Sequence, residues 1–397
     1  MNLWEDYPNN PFLPGHPVSQ DYFIGRKDEV NKLVRYLPRV IEKGLPEHFF
    51  IVGKRGMGKT SFINYISNIA NEKYDMFSIY VNNEGTNTID ELISKLLDKL
   101  FKEFNKTNWG RKIINNFFKH FDKIDIWGLG FEFRQQPEIV SNVKNNFIDF
   151  LVEICSDLKD YKGIFIIIDD INGLSETPDF ANWYKALFET LEFYAEHVPI
   201  VFNLVTYPAK FEQLCEQNPS FPRMFNLIEI DRLDDDDVKL FFENTLSKFS
   251  MDFTQQYFQD MIYFTCGMPL VMQQIGDSIY WNLEKNCISE KVVYRGIEDA
   301  ARELKNKPLK STLSKVNNPH YNSVLLKVGE NKMFKFCKKD LDLLVDDVER
   351  NILDDFLNRM LVLGILEFSD DELEMYEFVN IAFLVYFLIC SKFKRLL

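Results

Sequence analysis

Residues 53–61 have the types and spacing that bind a phosphate chain. They run Gly-Lys-Arg-Gly-Met-Gly-Lys-Thr-Ser and fit the pattern of a glycine, four residues, then Gly-Lys-Ser/Thr. Glycines let the backbone curl so that several N–H groups point at one anion. In such a loop Lys59 reaches the β- and γ-phosphates, and the Thr60 hydroxyl ligates Mg²⁺. The loop therefore predicts a site for ATP or ADP with Mg²⁺. Its predicted nucleotide-binding residues are Gly53, Lys54, Arg55, Gly56, Met57, Gly58, Lys59, Thr60 and Ser61.

A second motif ends in two acidic residues, Asp169 and Asp170. Residues 164–168 before them are all apolar, which predicts a fully buried strand with carboxylates at its C-terminal edge. Open α/β sheets place ligands at that edge. Asp169 is therefore predicted to hold Mg²⁺ together with Thr60, and Asp170 to orient the attacking water. An ordinary strand that ends in a polar turn is the alternative.

Two further residues are candidates for catalysis. Residues 199–206 form another apolar run, in which Asn203 and Thr206 are polar. Asn203 would lie in the middle of a strand, so Thr206 at its end is the better candidate for sensing the γ-phosphate, with an ordinary strand end as the alternative. Arg223 precedes the last predicted strand, 226–230, on a surface that a neighbouring subunit could meet. It is a candidate catalytic arginine, and a solvated surface arginine is the alternative.

These residues need an α/β core to position them. Residues 49–52 are apolar and strand-like, and apolar residues recur at helical spacing after the loop. Helices are also predicted at 26–41, 89–104 and 139–158, and further strands at 76–81, 364–368 and 375–379. The apolar run 378–390 reads as a buried helix or strand. The predicted domains are an extended proline-rich arm at 1–20, a phosphate-loop core at 21–233 with an inserted β-hairpin region at 105–140, a helical lid at 234–310, and a winged-helix domain at 311–397. A linker is predicted at 308–320, across the boundary between the last two.

Composition restricts the partners and the compartment. The chain of 397 residues carries 46 Lys and Arg against 60 Asp and Glu, a net charge of −14, which argues against nonspecific binding to nucleic acid or anionic membranes. The predicted winged helix has 11 basic and 14 acidic residues. Six scattered cysteines without a Cys-x-x-Cys pair indicate reduced core residues, and the N-terminus lacks a signal peptide. A cytoplasmic protein without a membrane partner is expected.

With these motifs together, the chain resembles AAA+-type ATPases of the STAND group, and it is especially similar to archaeal and bacterial ATPases related to origin-recognition initiators. The resemblance implies an AAA+-like P-loop NTPase core of the α/β class, a helical lid and a C-terminal winged helix. It assigns Phe23, Ile24, Gly25 and Arg26 to the adenine-side box. It assigns the sequence Gly-Met-Pro-Leu at 267–270 to the lid motif, with Pro269 near the adenine.

Two features depart from the STAND pattern. Thr206 is followed by Tyr207 and Pro208 instead of the arginine that many of these switches carry, and no long repeat array precedes the last residue, Leu397. A separately encoded effector is therefore an expected partner.

The main hypothesis is an ATP-dependent switch that hydrolyses ATP slowly and acts through protein–protein contacts, with defence or stress signalling as one setting. Its expected partners are ATP, a protein or separately encoded effector, and further copies of the chain. The alternative is a DNA-associated ATPase, such as an initiator, transposition or repair factor; the acidic winged helix disfavours DNA. A third hypothesis is a nucleotide-binding scaffold without turnover.

Overall fold

The computed structural model describes most of the chain. The described residues are 10–106, 110–114, 133–158, 160–193, 198–247, 252–253, 255–283, 287–307, 309–369 and 374–393. Contacts divide the chain into two compact units, which we describe separately. The sheet unit comprises residues 26–53 and 59–230, and the helical unit comprises 1–25, 54–58 and 231–397, in each case as far as they are described.

A five-stranded parallel sheet is the core of the sheet unit. Its strands are β1 (Glu47–Val52), β2 (Met76–Asn82), β3 (Gly163–Asp169), β4 (Ile200–Thr206) and β5 (Asn226–Glu229). They lie in the order β2-β3-β4-β1-β5. Every residue of β1, β3 and β4 is buried, which explains why these strands read as continuous rather than alternating apolar runs.

The register brings the carboxyl ends of four strands to one edge. Asn82 of β2 lies opposite Asp169 of β3, and Asp169 in turn lies opposite Val205 of β4. Val52, the last residue of β1, lies opposite Thr206. The polar residues that end or follow these strands therefore start from the same edge of the sheet, as the acidic strand end predicts.

Helices connect the strands of the sheet unit. They are α1 (Lys27–Val34), α2 (Leu37–Lys43), α3 (Lys59–Tyr74), α4 (Ile89–Phe104), α5 (Pro137–Asn145), α6 (Phe147–Asp157), α7 (Pro178–Phe193) and α8 (Pro208–Gln217). The helix predicted at 89–104 is confirmed, and its first turn is capped by the Thr88 hydroxyl, which accepts a hydrogen bond from the Glu91 N–H.

Two helices that were predicted to be continuous are each divided into two in the structure. The helix predicted at 26–41 is interrupted between α1 and α2, because Pro38 lacks the N–H that a continuing helix needs and is tolerated only in a first turn, where α2 places it. The helix predicted at 139–158 is divided at Asn146, whose backbone leaves the helical region and whose side-chain amide donates to the Asn142 carbonyl. The glycine-containing centre of the β-hairpin predicted within 105–140 lies outside the described residues.

The described part of the helical unit contains α9 to α18 and two small groups of strands. The helices are α9 (Asp235–Ser247), α10 (Gln255–Thr265), α11 (Pro269–Trp281), α12 (Glu290–Asn306), α13 (Lys310–Leu313), α14 (Pro319–Glu330), α15 (Lys338–Asp342), α16 (Asp347–Arg350), α17 (Leu353–Val362) and α18 (Ile381–Lys392). The strands are the parallel pair β6 (Asp252–Phe253) and β7 (Cys287–Ile288), together with β8 (Lys335–Phe336), β9 (Leu366–Phe368) and β10 (Tyr376–Phe378), which form a sheet in the order β8-β10-β9.

The antiparallel strands β9 and β10 confirm the two short strands predicted near the C-terminus, and we call them the C-terminal strand pair. The linker predicted at 308–320 is wrong in two places: α13 lies within it, and Pro319 opens α14, which the Asn318 side chain caps. The apolar run 378–390 is mainly the buried helix α18, which Asn380 caps. The winged helix and the predicted domain boundaries stay predictions. None of the helices in the described part of the chain combines the length and apolarity that crossing a bilayer requires.

Candidate nucleotide-binding site

The phosphate-loop sequence connects β1 to α3, as its motif predicts. Gly56 and Gly58 have φ angles of +84° and +86°, in the left-handed region that favours glycine. A Cβ atom on Gly53 would lie 2.4 Å from the carbonyl oxygen of Ile230, so only glycine fits where the chain leaves β1. Glycine is thus required at these three positions for different reasons. Gly56 and Gly58 turn the backbone, and Gly53 permits the close approach of the Ile230 carbonyl.

Lys59 begins α3. Its Nζ donates a hydrogen bond of 2.6 Å to the Gly53 carbonyl and lies 4.4 Å from the centroid of the Tyr207 ring. The ammonium is therefore held at the Gly53 carbonyl, where the chain leaves β1, and the face of the Tyr207 ring lies beside it. The sequence predicts Lys59 for this site but gives no sign that Tyr207 takes part.

Thr60 and Asp169, the predicted metal-binding pair, are in contact. The Thr60 hydroxyl donates to Asp169 Oδ2 at 2.9 Å, and the Tyr80 hydroxyl donates to the same oxygen at 2.7 Å. Burial, and next the Asp169 charge, raise the pKa of Tyr80, which keeps it a donor. A hydroxyl beside a carboxylate is an oxygen set that fits Mg²⁺, an ion that proteins bind through one or two carboxylates plus substrate phosphates. Larger clusters of three or more His, Cys, Asp or Glu side chains that could hold a metal are absent from the described residues.

Asp170 has a φ angle of +63°, unusual for a residue with a side chain. The Asn172 side-chain amide donates a hydrogen bond to Asp170 Oδ1, and the Thr206 hydroxyl donates to Asn172 Oδ1 at 2.6 Å. Burial, and next the charge of Asp169, raise the pKa of Asp170. The structure thus brings Asp170 and Thr206 together through Asn172, a residue that the motifs do not single out.

Asn203 and Thr206 occupy different places on β4. The Asn203 side chain is fully buried in the middle of the strand and donates to the Ile166 carbonyl of the neighbouring strand at 3.0 Å. Thr206 ends β4 at the polar edge. This arrangement agrees with the choice of Thr206 over Asn203 as the edge residue, whereas the proposed sensing role stays a prediction.

Arg223 and the box at 23–26 stay predictions as functional residues. Arg223 lies exposed in the short 3₁₀ helix Phe221–Met224. Arg26, in the sheet unit, is 8% exposed, has a φ of +63° and lies 3.7 Å from Glu29. Phe23 and Ile24, in the helical unit, are half-buried.

Within the helical unit, residues 54–58 of the loop pack against residues 267–270. The Leu270 N–H donates to the Gly56 carbonyl at 3.2 Å. A Cβ atom on Gly56 would lie 2.4 Å from Met268 Cε, and one on Gly58 would lie 3.7 Å from Pro269 Cγ. Met57 is buried and Arg55 is exposed. The predicted lid motif is therefore in contact with this part of the phosphate loop, and Pro269 starts α11 beside it.

Lys54 is bound by the C-terminal strand pair. Its Nζ lies 2.8 Å from Glu367 Oε1 and 2.7 Å from Glu377 Oε1, and it donates to the Phe378 carbonyl at 2.9 Å. All three hydrogens of the ammonium thus have an acceptor within the helical unit. The loop motif predicts Lys54 as a nucleotide-binding residue and gives no indication of these carboxylates.

A parallel sheet of this strand order, with a glycine loop between β1 and α3 and an acid at the end of β3, defines a P-loop NTPase fold. The model of the KAP family P-loop domain matches residues 28–205. Two curated relatives from Halobacterium salinarum, ORC1-type DNA replication proteins 2 and 4, are each 30% identical over 93 residues, which is 22% of this chain. The aligned part spans 35% and 23% of the length of these relatives.

Solved structures with the same fold extend over nearly the whole chain. A Walker-type ATPase of Pyrococcus abyssi has a TM-score of 0.56 at 13% identity, with 92% of this chain and 96% of that chain covered. The ORC2 protein of Aeropyrum pernix, in ADPNP and ADP complexes, has a TM-score of 0.53 at 12% identity, with 97% and 98% covered. At such identities these structures establish the fold. Together the matches confirm the resemblance to P-loop ATPases related to origin recognition, while membership of the STAND group stays a prediction.

Proposed function

We propose that this protein is an ATPase that binds ATP·Mg²⁺, hydrolyses it and acts on DNA. The ATPase part rests on one observation above all, the 2.9 Å contact of the Thr60 hydroxyl with Asp169 at the start of a phosphate-loop helix. A P-loop NTPase uses this pair of residue types to hold Mg²⁺ against the nucleotide phosphates.

The proposed roles of the residues follow from their positions. Lys59 and the loop amides stabilise the negative charge of the phosphates. Thr60 and Asp169 would hold Mg²⁺, which would supply further positive charge to the bound nucleotide. Asp170 orients the attacking water through its carboxylate. Because phosphoryl transfer asks the protein mainly for positioning and charge stabilisation, these groups suffice for slow turnover.

Phosphate release by purified protein tests the ATPase proposal. Lys59→Ala should abolish tight ATP binding and turnover, because it removes the side-chain cation predicted to reach the β- and γ-phosphates. Lys73→Ala, an exposed lysine in the last turn of the same helix, is the matched control and should behave as wild type. Unchanged ATP affinity of folded Lys59→Ala in calorimetry would refute the site.

The DNA part of the proposal draws on the relatives. Both curated matches are named DNA replication proteins, and ORC2 is among the structural neighbours. Binding of duplex DNA, measured by fluorescence anisotropy at 50 and 200 mM salt with and without ATP, tests it. Phosphate contacts predict an affinity that falls steeply as salt rises. An affinity absent at both salt concentrations, with and without ATP, would reject DNA as the partner.

A switch that acts through protein contacts is the second candidate. The C-terminal residues 311–397 carry 11 basic and 14 acidic side chains, a balance that a DNA phosphate backbone repels and a basic protein surface attracts. In this case a separately encoded effector reads the ATP state, and defence or stress signalling is one setting. Both candidates allow a homo-oligomer in which Arg223 reaches the site of a neighbouring copy, and both place the protein in the cytoplasm.

A further inference from the structure

Asn172 joins two of the residues predicted for catalysis. It lies in the short 3₁₀ helix Asn172–Glu176, directly after the acidic end of β3. Its side-chain amide donates to Asp170 Oδ1, and its side-chain oxygen accepts the Thr206 hydroxyl hydrogen at 2.6 Å. Three side chains from two neighbouring strand ends thus form one hydrogen-bonded chain from Thr206 through Asn172 to Asp170.

Chemistry fixes which group donates and which accepts in each of these hydrogen bonds. An ionised carboxylate only accepts hydrogen bonds, so the Asn172 NH₂ group must face Asp170 and its oxygen must face Thr206. The Thr206 hydroxyl has a single hydrogen, which is committed to Asn172. Thr206 is 1% exposed, so water does not compete readily for that hydrogen.

Asp170 needs such support because its backbone is strained. A φ of +63° is strained for a residue with a side chain, and it persists where neighbouring groups hold it. Asn172 therefore restrains the carboxylate through its side-chain amide, and Thr206 restrains Asn172.

We propose that Asn172 is a positioning residue for hydrolysis, and that Thr206 acts through Asn172 on Asp170 rather than by contacting the γ-phosphate. This inference rests on the proposed ATPase function. If Thr206 contacted the γ-phosphate itself, its loss would weaken ATP binding more than ADP binding. If it acts through Asn172, its loss slows hydrolysis and leaves both affinities in place.

Single-turnover hydrolysis and calorimetry on a double-mutant cycle distinguish these roles. Asn172→Ala and Thr206→Val should each slow hydrolysis roughly ten- to a hundredfold, because a displaced carboxylate no longer aligns the water. The dissociation constants of ATP and ADP should change less than twofold. The double variant should be no slower than Asn172→Ala alone, because both substitutions break the same chain. Thr206→Ser, which restores a hydroxyl, should recover most of the rate that Thr206→Val loses.

The control for Thr206→Val is a substitution at another threonine. Thr190→Val makes the same chemical change at an exposed hydroxyl on α7 and should leave the rate unchanged. Rate losses that multiply in the double variant, or a selective loss of ATP affinity in Thr206→Val, would overturn the inference. If Asn172→Ala does not fold, the Thr206→Val and Thr206→Ser pair still decides between the two roles of Thr206. Failure of the wild type to bind ATP would instead overturn the proposed function.

Discussion

Asp170 has a carboxylate one methylene shorter than that of a glutamate. Its carboxylate is further held by Asn172 at one oxygen. If Asp170 orients the attacking water as we propose, that water is held less closely than by a glutamate, and a displacement of about 1 Å can cost roughly a hundredfold in rate. We expect turnover well below the several per second of ordinary enzymes.

Substitutions at Asp170 test this expectation by single-turnover kinetics. Asp170→Asn should retain ATP and stop hydrolysis, and asparagine tolerates the left-handed backbone of this position. Asp170→Glu should hydrolyse ATP faster if the added length outweighs its poorer fit to that backbone. Wild-type turnover of several per second, or hydrolysis by Asp170→Asn at the wild-type rate, would contradict the slow mechanism.

Asp169 supports a prediction about metal dependence. Asp169→Asn should lower ATP affinity roughly tenfold or more in the presence of Mg²⁺, because it removes the carboxylate beside Thr60. ATP binding in EDTA should be nearly unchanged. Calorimetry with and without Mg²⁺ measures both, and Asp179→Asn, an exposed aspartate in the first turn of α7, is the control. Equal losses in the two conditions would assign Asp169 a structural role.

At the scale of the element, β1 carries an ionisable group in its interior. His48 is 4% exposed, its ring stacks on Phe202 at 5.0 Å, and Nδ1 lies 2.8 Å from the Tyr184 hydroxyl. Burial lowers the pKa of His48 to about 3 from 6.5. Between these values the unfolded chain binds a proton that the folded chain does not. The folded state therefore loses stability as pH falls through this window.

Urea unfolding at pH 6.5 and pH 5 measures this effect. Each pH unit in the window corresponds to about 1.4 kcal/mol, so His48 should account for about 2 kcal/mol of the stability lost between these pH values. His48→Phe should show a loss smaller by that amount. His320→Gln, at an exposed histidine, should keep the full wild-type loss. Identical pH dependence in His48→Phe and wild type would mean that His48 titrates normally in the folded protein.

The sheet was largely predictable because its strands are buried on both faces. The apolar runs at 49–52 and 199–206 predict β1 and β4 to within two residues. Helix ends were less predictable, because a proline ends one helix and begins another: Pro38 and Pro319 each open a helix where the pattern predicts continuity or a linker.

The residues of the candidate site were also predictable to different degrees. Lys59, Thr60 and Asp169 belong to local motifs, and the structure brings the last two into contact. Tyr80 and Asn172 have no local signature, because their contacts with Asp169 and Thr206 depend on which strands become neighbours in the sheet.

At the scale of the whole molecule, the ion pairs of Lys54 support a stability prediction. Lys54→Met leaves Glu367 and Glu377 without their shared cation, and the Glu377 side chain is only 13% exposed. We expect a loss of about 1–3 kcal/mol in the free energy of unfolding, measured in urea. Lys338→Met breaks a pair with Asp354, whose side chain is 77% exposed, and should cost clearly less than Lys54→Met. Equal losses in the two variants would mean that the Lys54 contacts are no stronger than a surface pair.

Lys54 also has a consequence for the synthesis of the chain. It is separated from Glu367 by 313 residues. At about 5–20 residues per second, a ribosome needs roughly 16–60 s to make the intervening segment. During that interval Lys54 has left the ribosome, and none of its three acceptors has yet been made. Lys54 therefore reaches these three contacts of the folded structure only after β9 and β10 have been made, whereas Gly56 and Gly58 can pack against residues 268–270 earlier.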